Sequence, residues 1–388
     1  MRIIHTSDWH LGRRFEREPL EADQRAFLGW LADEVAERHV DLVVVAGDVY
    51  DRSQPAEDAV ALLDLGLDRL RAAGAQVVLI PGNHDSARRL GFGAARQALG
   101  GVHVVADGWA PPVPRVLSAD GERIAVVAVP FLDPHVAPPP LPAGDGTARV
   151  ATHQSVLADA LDAGRRGLAG LDGVPSLVMA HAYVAGAGHS ESERTLAVGG
   201  TDQVDPALFA GFDYVALGHL HRPQRIGGSE TVAYSGSPLP YSFSEDHPKS
   251  VRLLEVTGGR VADVTTVPVP VGRTVATLTG TLEELLSDRS HDPATGCWVA
   301  ARLTDRTVQT QPMERLRKRF PHVVSVRYAD PHTGASVRHG AGGAPIEARS
   351  PESVVLEFLA DARDRAPSDS ERALVHDALV EAHAGAPA

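Results

Sequence analysis

The sequence contains a single cysteine, Cys297, so an intrachain disulfide is excluded and the chain suits a reducing compartment. It has no run of about 18 apolar residues, which is the length that a membrane-spanning helix needs. The first residues also contain no apolar signal region. We therefore expect a soluble, cytoplasmic protein with no membrane partner.

Lysine and net positive charge are scarce. Lys249 and Lys318 are the only lysines, and the formal net charge is −13. A protein that coats nucleic acid through its overall field is therefore not expected. A local positive surface stays open, because bound divalent cations would offset part of an acidic cluster. The length of 388 residues predicts two or three domains.

Short β-rich runs alternate with helical patterns over the first 130 residues, which predicts a layered α/β fold. We expect strands at 3–6, 42–46 and 77–80 and a helix near 87–99. Another helix is expected between the strands at 42–46 and 77–80. It has a leucine stripe, which we expect to pack on the sheet rather than form a dimer contact. The stripe consists of Leu62, Leu63, Leu67 and Leu70.

Changes in composition predict four parts along the chain. The layered α/β domain covers 1–268, and a small α+β capping domain follows at 269–332. The stretch 333–350 is rich in Gly, Ala and Ser and is typical of a flexible linker. Two amphipathic helices are expected over 351–388, and the second begins with the capping-box sequence Ser368-Asp369-Ser370-Glu371. Within the first part, a Pro-rich surface loop is expected at 137–147.

Five short polar motifs follow predicted strands in a fixed order. They are Asp8-Trp9-His10, Gly47-Asp48-Val49-Tyr50-Asp51, Gly82-Asn83-His84-Asp85, Ala180-His181-Ala182 and Gly218-His219-Leu220-His221. Each residue alone is explained more simply as a turn or core residue. Sites in α/β sheets form beyond the carboxyl ends of strands, however, and the motifs share that position. Together they favour a common metal site.

These residues supply oxygen and imidazole ligands for two divalent metals, which lie roughly 3.5–4 Å apart in such pairs. The predicted ligands are Asp8, His10 and His221 on one metal, Asn83, His181 and His219 on the other, and Asp48 between the two. The mixed donor set favours Mn²⁺ or Fe²⁺ over an all-oxygen Mg²⁺ site, and Zn²⁺ stays open.

His84 is left over beside the predicted ligands, and we expect it to be catalytic. Its imidazole can donate a proton to the scissile phosphate or to the leaving oxygen. Two roles are open for Asp85, namely orientation of His84 and capping of its loop. Asp51 is a candidate outer hydrogen-bond partner for a ligand histidine.

The motifs resemble those of the calcineurin-like metallophosphoesterase superfamily. Three longer segments are similar to the SbcD family of bacterial double-strand-break repair nuclease subunits, and they are Ser7-Asp8-Trp9-His10-Leu11-Gly12-Arg13, Pro81-Gly82-Asn83-His84-Asp85-Ser86 and Tyr234-Ser235-Gly236-Ser237-Pro238-Leu239-Pro240. The resemblance covers nearly the whole chain. It implies a layered β-sandwich flanked by helices, with a small α+β capping domain and a C-terminal helical tail.

The resemblance also implies an activity and partners. The activity is that of a manganese-dependent exonuclease on double-stranded DNA ends and endonuclease on hairpins, in DNA repair, recombination and replication. Phosphodiesters would be hydrolysed by a two-metal-activated water, with His84 assisting. An SbcC-type coiled-coil ATPase would bind the C-terminal helices, and the family is usually a homodimer within a heterotetramer, nucleoid-associated in function. These helices could instead close on each other as a hairpin.

Six arginines lie within a few residues of the motifs and are candidates either for DNA phosphate contact or for a solvated surface. They are Arg13, Arg14, Arg52, Arg88, Arg89 and Arg222. Two other functions compete with the nuclease. One is a phosphodiesterase or phosphatase of the same superfamily that acts on a small substrate. The other is a non-catalytic scaffold that recruits a DNA-end-binding ATPase, although no ligand is missing from the motifs.

Overall fold

A computed structural model describes residues 1–136, 151–193, 203–329, 352, 355–356, 359–360 and 365–384. Contacts divide the chain into two units, Met1–Ala329 and Asp330–Ala388. The loop predicted at 137–147 and the linker predicted at 333–350 lie outside the described residues. Within the described ranges, no helix combines the length and the apolar character needed to cross a membrane.

Strands form where β-branched and other apolar residues run together. In chain order they are β1 (Arg2–Thr6), β2 (Arg14–Phe15), β3 (Glu18–Pro19), β4 (Leu42–Ala46), β5 (Gln76–Ile80), β6 (Val102–Val104), β7 (Arg115–Ala119), β8 (Glu122–Val129), β9 (Ser176–His181), β10 (Tyr183–Val184), β11 (Gln203–Val204), β12 (Tyr214–Gly218), β13 (Gln224–Arg225), β14 (Val232–Tyr234), β15 (Ser250–Thr257), β16 (Arg260–Pro268), β17 (Val275–Gly280), β18 (Trp298–Leu303) and β19 (Val323–Tyr328).

The α-helices are α1 (Glu21–Glu37), α2 (Glu57–Ala72), α3 (Ala87–Leu90), α4 (Ala94–Leu99), α5 (His153–Leu168), α6 (Leu282–Ser287), α7 (Pro312–Arg317) and α8 (Asp369–Ala384). Short 3₁₀ turns lie at Pro134–Val136, Pro206–Phe209 and Arg289–Gly296. The single helix predicted near 87–99 is wrong, because Gly93 adopts φ +74° and separates α3 from α4.

The first sheet has the strand order β16-β15-β1-β4-β5-β6. Its strands β1, β4, β5 and β6 are parallel, and β15 and β16 are antiparallel additions. Helices α1 and α2 cover its outer face. The predicted packing of the leucine stripe is confirmed, because Leu62, Leu63, Leu67 and Leu70 are buried in one core with Val43 and Val45 of β4.

The second sheet has the order β13-β14-β12-β9-β8-β7, with a parallel centre and antiparallel edges. Helix α5 packs on its outer face through Leu157 and Leu161. Its inner face meets the inner face of the first sheet, where Val44 and Val78 share a core with Met179. The expected β-sandwich flanked by helices is therefore confirmed, and the valine-rich strands reflect burial on both faces.

A smaller layer follows in the same unit. Strands β17, β18 and β19 form a parallel sheet, and α6 and α7 pack on it around Leu285, Leu316 and Phe320. Phe15 of β2 stacks on Trp298 of β18, with ring centroids 5.5 Å apart. Within the predicted capping domain, the described residues 269–329 therefore have their own apolar core and an aromatic contact with a loop of the first sheet.

The second unit contains α8, and its first turn has the predicted capping box. The backbone N–H of Ser368 donates to Glu371 at 2.7 Å, and the N–H of Glu371 donates to the Ser368 hydroxyl at 3.4 Å. Val355 and Leu359, which lie in the first of the two predicted helices, are helical, while Phe358 and Ala362 of the same segment lie outside the described residues. His376 Nδ1 lies 3.3 Å from Glu352 Oε2, so the two helical segments contact each other.

Candidate metal centre

Five strands from two sheets bring the sequence motifs to one edge of the sandwich. Parallel strands β1, β4 and β5 end at this edge of the first sheet, and β9 and β12 end at the same edge of the second. The structure brings the seven predicted ligands together there, and we call them the site cluster: Asp8, His10, Asp48, Asn83, His181, His219 and His221. Most of these side chains are buried.

The backbone is strained at this edge. Asp8, Asp48 and His219 have φ values of +54°, +47° and +110°. These values lie at positive φ, which residues other than glycine rarely adopt. Two backbone hydrogen bonds join the loops that follow β1 and β4, because Asp8 N–H donates to the carbonyl oxygen of Gly47 at 3.0 Å and His10 N–H donates to the backbone carbonyl oxygen of Asp48 at 2.9 Å. With these backbone conformations, the side chains of Asp8, Asp48 and His219 are buried at the site.

Two glycines allow this close approach. Gly47 has φ +92°, and a Cβ there would lie 2.2 Å from Nδ1 of His181. A Cβ at Gly82 would lie 2.2 Å from Oδ1 of Asp48. The motif glycines are therefore required because the two sheets and their loops meet at contact distance.

Asp8, His10 and His221 make up the first predicted ligand group, and the structure brings them together. Ligand atoms of these three residues lie within 4.8 Å of one another. The Nε2 atoms of His10 and His221 face each other at 3.1 Å. At least one of these nitrogens must present a lone pair, and two facing lone pairs are the arrangement of two ligands of one cation.

Asn83, His181 and His219 make up the second predicted ligand group, and the structure brings them together. The side-chain oxygen of Asn83 lies 2.9 Å from Nε2 of His181 and 3.1 Å from Nδ1 of His219. Asp48 stands between the two groups, because its Oδ2 lies 3.5 Å from Nε2 of His10 and 3.5 Å from Nε2 of His181. The role of Asp48 as a ligand shared by two metals stays a prediction.

Burial dominates the electrostatics of the site cluster. Burial and then the charge of Asp48 raise the pKa of Asp8 well above its usual range. Burial also lowers the pKa of His10, His181 and His219, so these imidazoles are neutral at pH 7. Neutral imidazole is the form that binds metals, and nearby cations would favour the ionised form of Asp8.

The donor set fits two divalent cations. Carboxylate and amide oxygens converge with neutral imidazoles, which is a mixed set that suits transition metals such as Mn²⁺. Within the described part of the chain, the buried Nδ1 of His10 and Nδ2 of Asn83 have no hydrogen-bond partner. Asn83 directs its amide oxygen, which is the atom of an amide that can bind a metal, at His181 and His219.

His84 lies at the rim of the site cluster. Its Nδ1 lies 2.8 Å from the backbone oxygen of Asp51, and since a carbonyl can only accept, Nδ1 carries the proton and donates it. Nε2 then faces the cluster, 4.0 Å from Oδ2 of Asp48. The Asp51 carboxylate is 3.7 Å from Nδ1 of His10, beyond hydrogen-bond distance.

Asp85 has the loop-capping role. Its carboxylate accepts hydrogen bonds from the backbone N–H groups of Val49 at 3.0 Å, Tyr50 at 2.8 Å and Gly82 at 2.9 Å. Burial, followed by the charge of Asp48, raises its pKa to about 7 despite these donors. The orienting role that was one alternative for Asp85 belongs instead to the backbone carbonyl of Asp51.

Sequence reasoning missed the groups behind His221. Nδ1 of His221 lies 2.6 Å from the Ser192 hydroxyl and 3.3 Å from Oε1 of Glu245. Lys249 makes a close buried ion pair with Glu245. Burial would raise the pKa of Glu245, but the hydrogen bond from His221 and the charge of Lys249 outweigh it and lower the pKa. The only sequence signal was the neighbouring Ser235-Gly236-Ser237 segment.

Arg13 differs from the other candidate DNA-binding arginines. Its guanidinium lies 3.3 Å from the carboxylate of Asp51 and donates to the backbone oxygen of Ser192 at 3.1 Å. It also lies over the ring of Tyr241, 4.8 Å from the centroid. These contacts hold Arg13 partly buried beside the site cluster.

The other five candidates are exposed, and they are Arg14, Arg52, Arg88, Arg89 and Arg222. Arg52 is 81% exposed and lies 3.6 Å from the carboxylate of Asp51. A cavity of about 1000 Å³ opens beside Asn83 and Arg88, so the cluster edge is accessible from this side.

Comparison with known proteins gives the class first. The chain matches the calcineurin-like phosphoesterase family over residues 1–223, more than half of its length. Residues 271–363 match the family described as type 5 capsule protein repressor C-terminal domain. The fold and the cluster thus define a metal-dependent phosphoester hydrolase of the calcineurin-like class.

Two relatives narrow the class. The chain is 36% identical to the SbcD subunit of the SbcCD nuclease of Escherichia coli (strain K12) over 295 residues, which cover 74% of this chain and 72% of that protein. It is 29% identical to the SbcD subunit of the Staphylococcus epidermidis SbcCD nuclease over 329 residues, covering 84% and 85%. The chain belongs to the SbcD family of nuclease subunits.

Solved structures are similar at a lower level. A protein of Thermus thermophilus gives a TM-score of 0.40 at 14% identity, covering 69% of this chain and 98% of that chain. A dimetal phosphatase from Danio rerio gives a TM-score of 0.40 at 14% identity, covering 69% and 99%.

Proposed function

We propose that the chain is the catalytic subunit of an SbcCD-type complex, an exonuclease on double-stranded DNA ends and an endonuclease on hairpins in DNA repair, recombination and replication. The observation that carries the proposal is the convergence of the seven cluster residues at one sheet edge in a member of this family. We place the complex in the cytoplasm, associated with the nucleoid, and the single cysteine supports a reducing compartment.

The site cluster would hold two divalent cations, most simply Mn²⁺. Asp8, His10 and His221 would bind one and Asn83, His181 and His219 the other, with Asp48 shared between them. When bound, such a pair activates water and offsets the charge of the phosphate oxygens. The neutral imidazoles and the buried carboxylates support this assignment.

His84 would act on the leaving group. The Nδ1 proton of His84 is donated to the Asp51 carbonyl, so Nε2 is the ring nitrogen that faces the substrate side. A proton on Nε2 would be donated to a non-bridging phosphate oxygen or to the departing ribose oxygen. Asp85 supports His84 indirectly, since it holds the Gly82 turn against the Val49 and Tyr50 backbone.

DNA would approach over an arginine-bearing rim. Arg14, Arg52, Arg88, Arg89 and Arg222 are exposed around the motif loops and can form bidentate contacts with phosphates. Arg13 is engaged by Asp51 and Ser192, so a supporting role in the loop suits it better.

Two protein partners complete the proposal. A homodimer is supported by Phe92 and Leu99, which are 82% and 90% exposed next to and within α4. An SbcC-type coiled-coil ATPase would bind the tail over 351–388, where Leu374 is 68% exposed on α8. The remaining segments would be the nuclease domain (1–268), the capping domain (269–332) and the linker (333–350).

One assay separates this function from a small-substrate phosphodiesterase. Purified full-length protein is incubated with Mn²⁺ and either blunt duplex DNA, a DNA hairpin or a chromogenic phosphodiester. Cleavage of the duplex and the hairpin supports the nuclease. Cleavage of the chromogenic substrate alone would reject it, and no hydrolysis of any substrate with bound metal would favour a scaffold.

The tail is tested separately. Deletion of residues 345–388 is expected to abolish co-purification with the ATPase and to leave intrinsic nuclease activity intact. Co-purification at the wild-type level would show that the tail is not the docking element, as expected if its helices only close on each other.

A further inference from the structure

We propose that Glu245 is a positioning residue for the metal centre, which holds His221 so that its Nε2 lone pair faces the first ligand group. This inference rests on the proposed function in one respect, because it takes Asp8, His10 and His221 as ligands of one cation. It adds a residue that lies 24 positions beyond the last motif histidine.

The hydrogen bonds around His221 define its tautomer. Nδ1 lies 2.6 Å from the Ser192 hydroxyl oxygen, and that hydroxyl also makes a close contact with Oε1 of Glu245. A carboxylate can only accept, so the Ser192 hydroxyl donates to Glu245 and its oxygen accepts the Nδ1 proton of His221. Glu245 Oε1 itself lies 3.3 Å from Nδ1. The proton therefore belongs on Nδ1, and Nε2 carries the lone pair.

The backbone of His221 is held by the same surroundings. Its N–H donates to Oε1 of Glu193 at 2.7 Å, and its carbonyl accepts from Nζ of Lys249 at 3.3 Å. With the ring 1% exposed and its Nε2 3.1 Å from Nε2 of His10, the imidazole has one orientation in the cluster. Partners of this kind orient metal-bound imidazoles and make them more basic.

Lys249 compensates the buried charge of Glu245. The two side chains form a close ion pair, with exposures of 7% and 0%. Lys249 Nζ also donates to the Ser237 hydroxyl at 2.9 Å, and Tyr241 N–H donates to Glu245 at 3.1 Å. An unpaired carboxylate in such a place would be strongly destabilising. The lysine thus keeps Glu245 ionised, while Glu245 orients the imidazole.

The second ligand group does not depend on this network. Nδ1 of His181 donates to the backbone oxygen of Ala46 at 2.9 Å, so the register of β4 and β9 orients that ring. Loss of the Glu245 carboxylate should therefore weaken the first metal position and spare the second.

A purely structural role for Glu245, as the counter-ion of Lys249, makes a different prediction. The double variant Glu245→Met/Lys249→Met removes both charges and the acceptor oxygens of Glu245 with little change in volume. If Glu245 only balances Lys249, the double variant should bind metal as the wild type does. If Glu245 positions His221, the double variant should bind metal weakly at the first metal position.

The test is Mn²⁺ titration of the full-length protein by calorimetry, with electron paramagnetic resonance to follow the coupled metal pair. His221→Gln and His181→Gln identify which binding step belongs to which ligand group. We expect the double variant to lose about 10- to 100-fold in affinity at the step that His221→Gln removes, with the other step unchanged. Wild-type affinity at both steps would overturn the inference.

Asp213→Asn is the matched control. The Asp213 carboxylate accepts hydrogen bonds from the backbone N–H and the hydroxyl of Ser176 at the opposite end of the second sheet. The variant therefore removes a structural carboxylate that lies away from the site cluster. This variant should retain both Mn²⁺ steps at wild-type affinity.

A measurement on the wild type keeps the inference testable if the double variant does not fold. In the metal-free protein with ¹⁵N-labelled histidine, long-range ¹H–¹⁵N correlation should show His221 protonated at Nδ1. A proton on Nε2 would reject the role of Glu245. Wild-type protein that binds no Mn²⁺ but has the Nδ1 tautomer would instead reject the proposed metal function.

Discussion

His181 and His221 both direct a nitrogen into the site cluster, but their outer nitrogens meet different acceptors. His181 donates to the Ala46 carbonyl of β4, which is part of the sheet itself. His221 meets Ser192 and Glu245, which lie on loops well separated from it along the chain. One imidazole is oriented by strand register and the other by a side-chain network.

This difference shows two ways of orienting an imidazole that is proposed to bind a metal. A backbone acceptor needs only the correct strand pairing, and it tolerates sequence change as long as the sheets meet. A side-chain acceptor needs its own buried counter-ion, here Lys249, and several further hydrogen bonds. The side-chain network can therefore adjust the orientation of the imidazole, but a substitution at any of its residues can also disturb that orientation.

The largest effect should come from Asp48, the residue that we propose both ligand groups share. Asp48→Asn removes the negative charge between them, so both cations should bind weakly. Nuclease activity should fall by on the order of 10⁴-fold, because several kcal/mol of transition-state stabilisation depend on the metal pair. Metal content and duplex cleavage are measured together, with the exposed Asp64→Asn as control. Two retained metals at full affinity would show that Asp48 is not shared.

A variant that spares both ligand groups should still lose activity. His84→Ser is expected to keep two metals and to lower duplex cleavage by roughly 10²- to 10³-fold, the range for loss of a general acid. Metal stoichiometry and single-turnover cleavage rates give the two readouts, and His39→Ser on the surface is the control. Undiminished cleavage would remove His84 from the mechanism.

A smaller effect should distinguish the two ligand groups, because it should weaken metal binding at only one of them. In Gly47→Ala, the new Cβ would overlap Nδ1 of His181, and the residue would also carry a left-handed backbone. We expect about tenfold weaker binding at the second metal position and about 1–2 kcal/mol lower stability.

Gly74→Ala is its matched control, since Gly74 has φ +109° but no atom within 4 Å of the added Cβ. It should show the stability loss without the change in metal affinity. Equal metal affinities in the two alanine variants would mean that the contact between Gly47 and His181 does not matter for the site.

The smallest effect on metal binding and activity is expected for a buried imidazole outside both groups, which acts on stability alone. Burial, followed by the charge of Arg252, lowers the pKa of His5 from 6.5 to about 3. The unfolded chain therefore takes up a proton below pH 6.5 that folded His5 refuses, and stability is lost as the pH falls from 6.5 towards 3. At pH 5 the loss from this group is up to about 2 kcal/mol.

His5→Gln should reduce that acid sensitivity. The measurement is the difference in Tm of the metal-free protein between pH 7.5 and pH 5, with exposed His135→Gln as control. The difference should shrink by a few degrees in His5→Gln. An unchanged difference would show that His5 does not contribute to acid destabilisation.

Short-range features of the fold were well predicted from local patterns. The strands at 42–46 and 77–80, the leucine stripe of α2 and the capping box at Ser368 all depend on residues within a few positions of each other. The helix over 87–99 was the exception, because a single glycine with positive φ divides it.

The sequence by itself determined which residues stand at the ends of the central strands, because side-chain type and hydrophobic period are local properties. Only the tertiary structure decided what lies behind those residues. His219 N–H reaches the carboxylate of Asp8 across 211 positions, and Ser192, Glu245 and Lys249 meet His221 because two sheets and their loops close on one edge. Such contacts depend on how the two sheets face each other, and the spacing of residues along the sequence does not determine that packing.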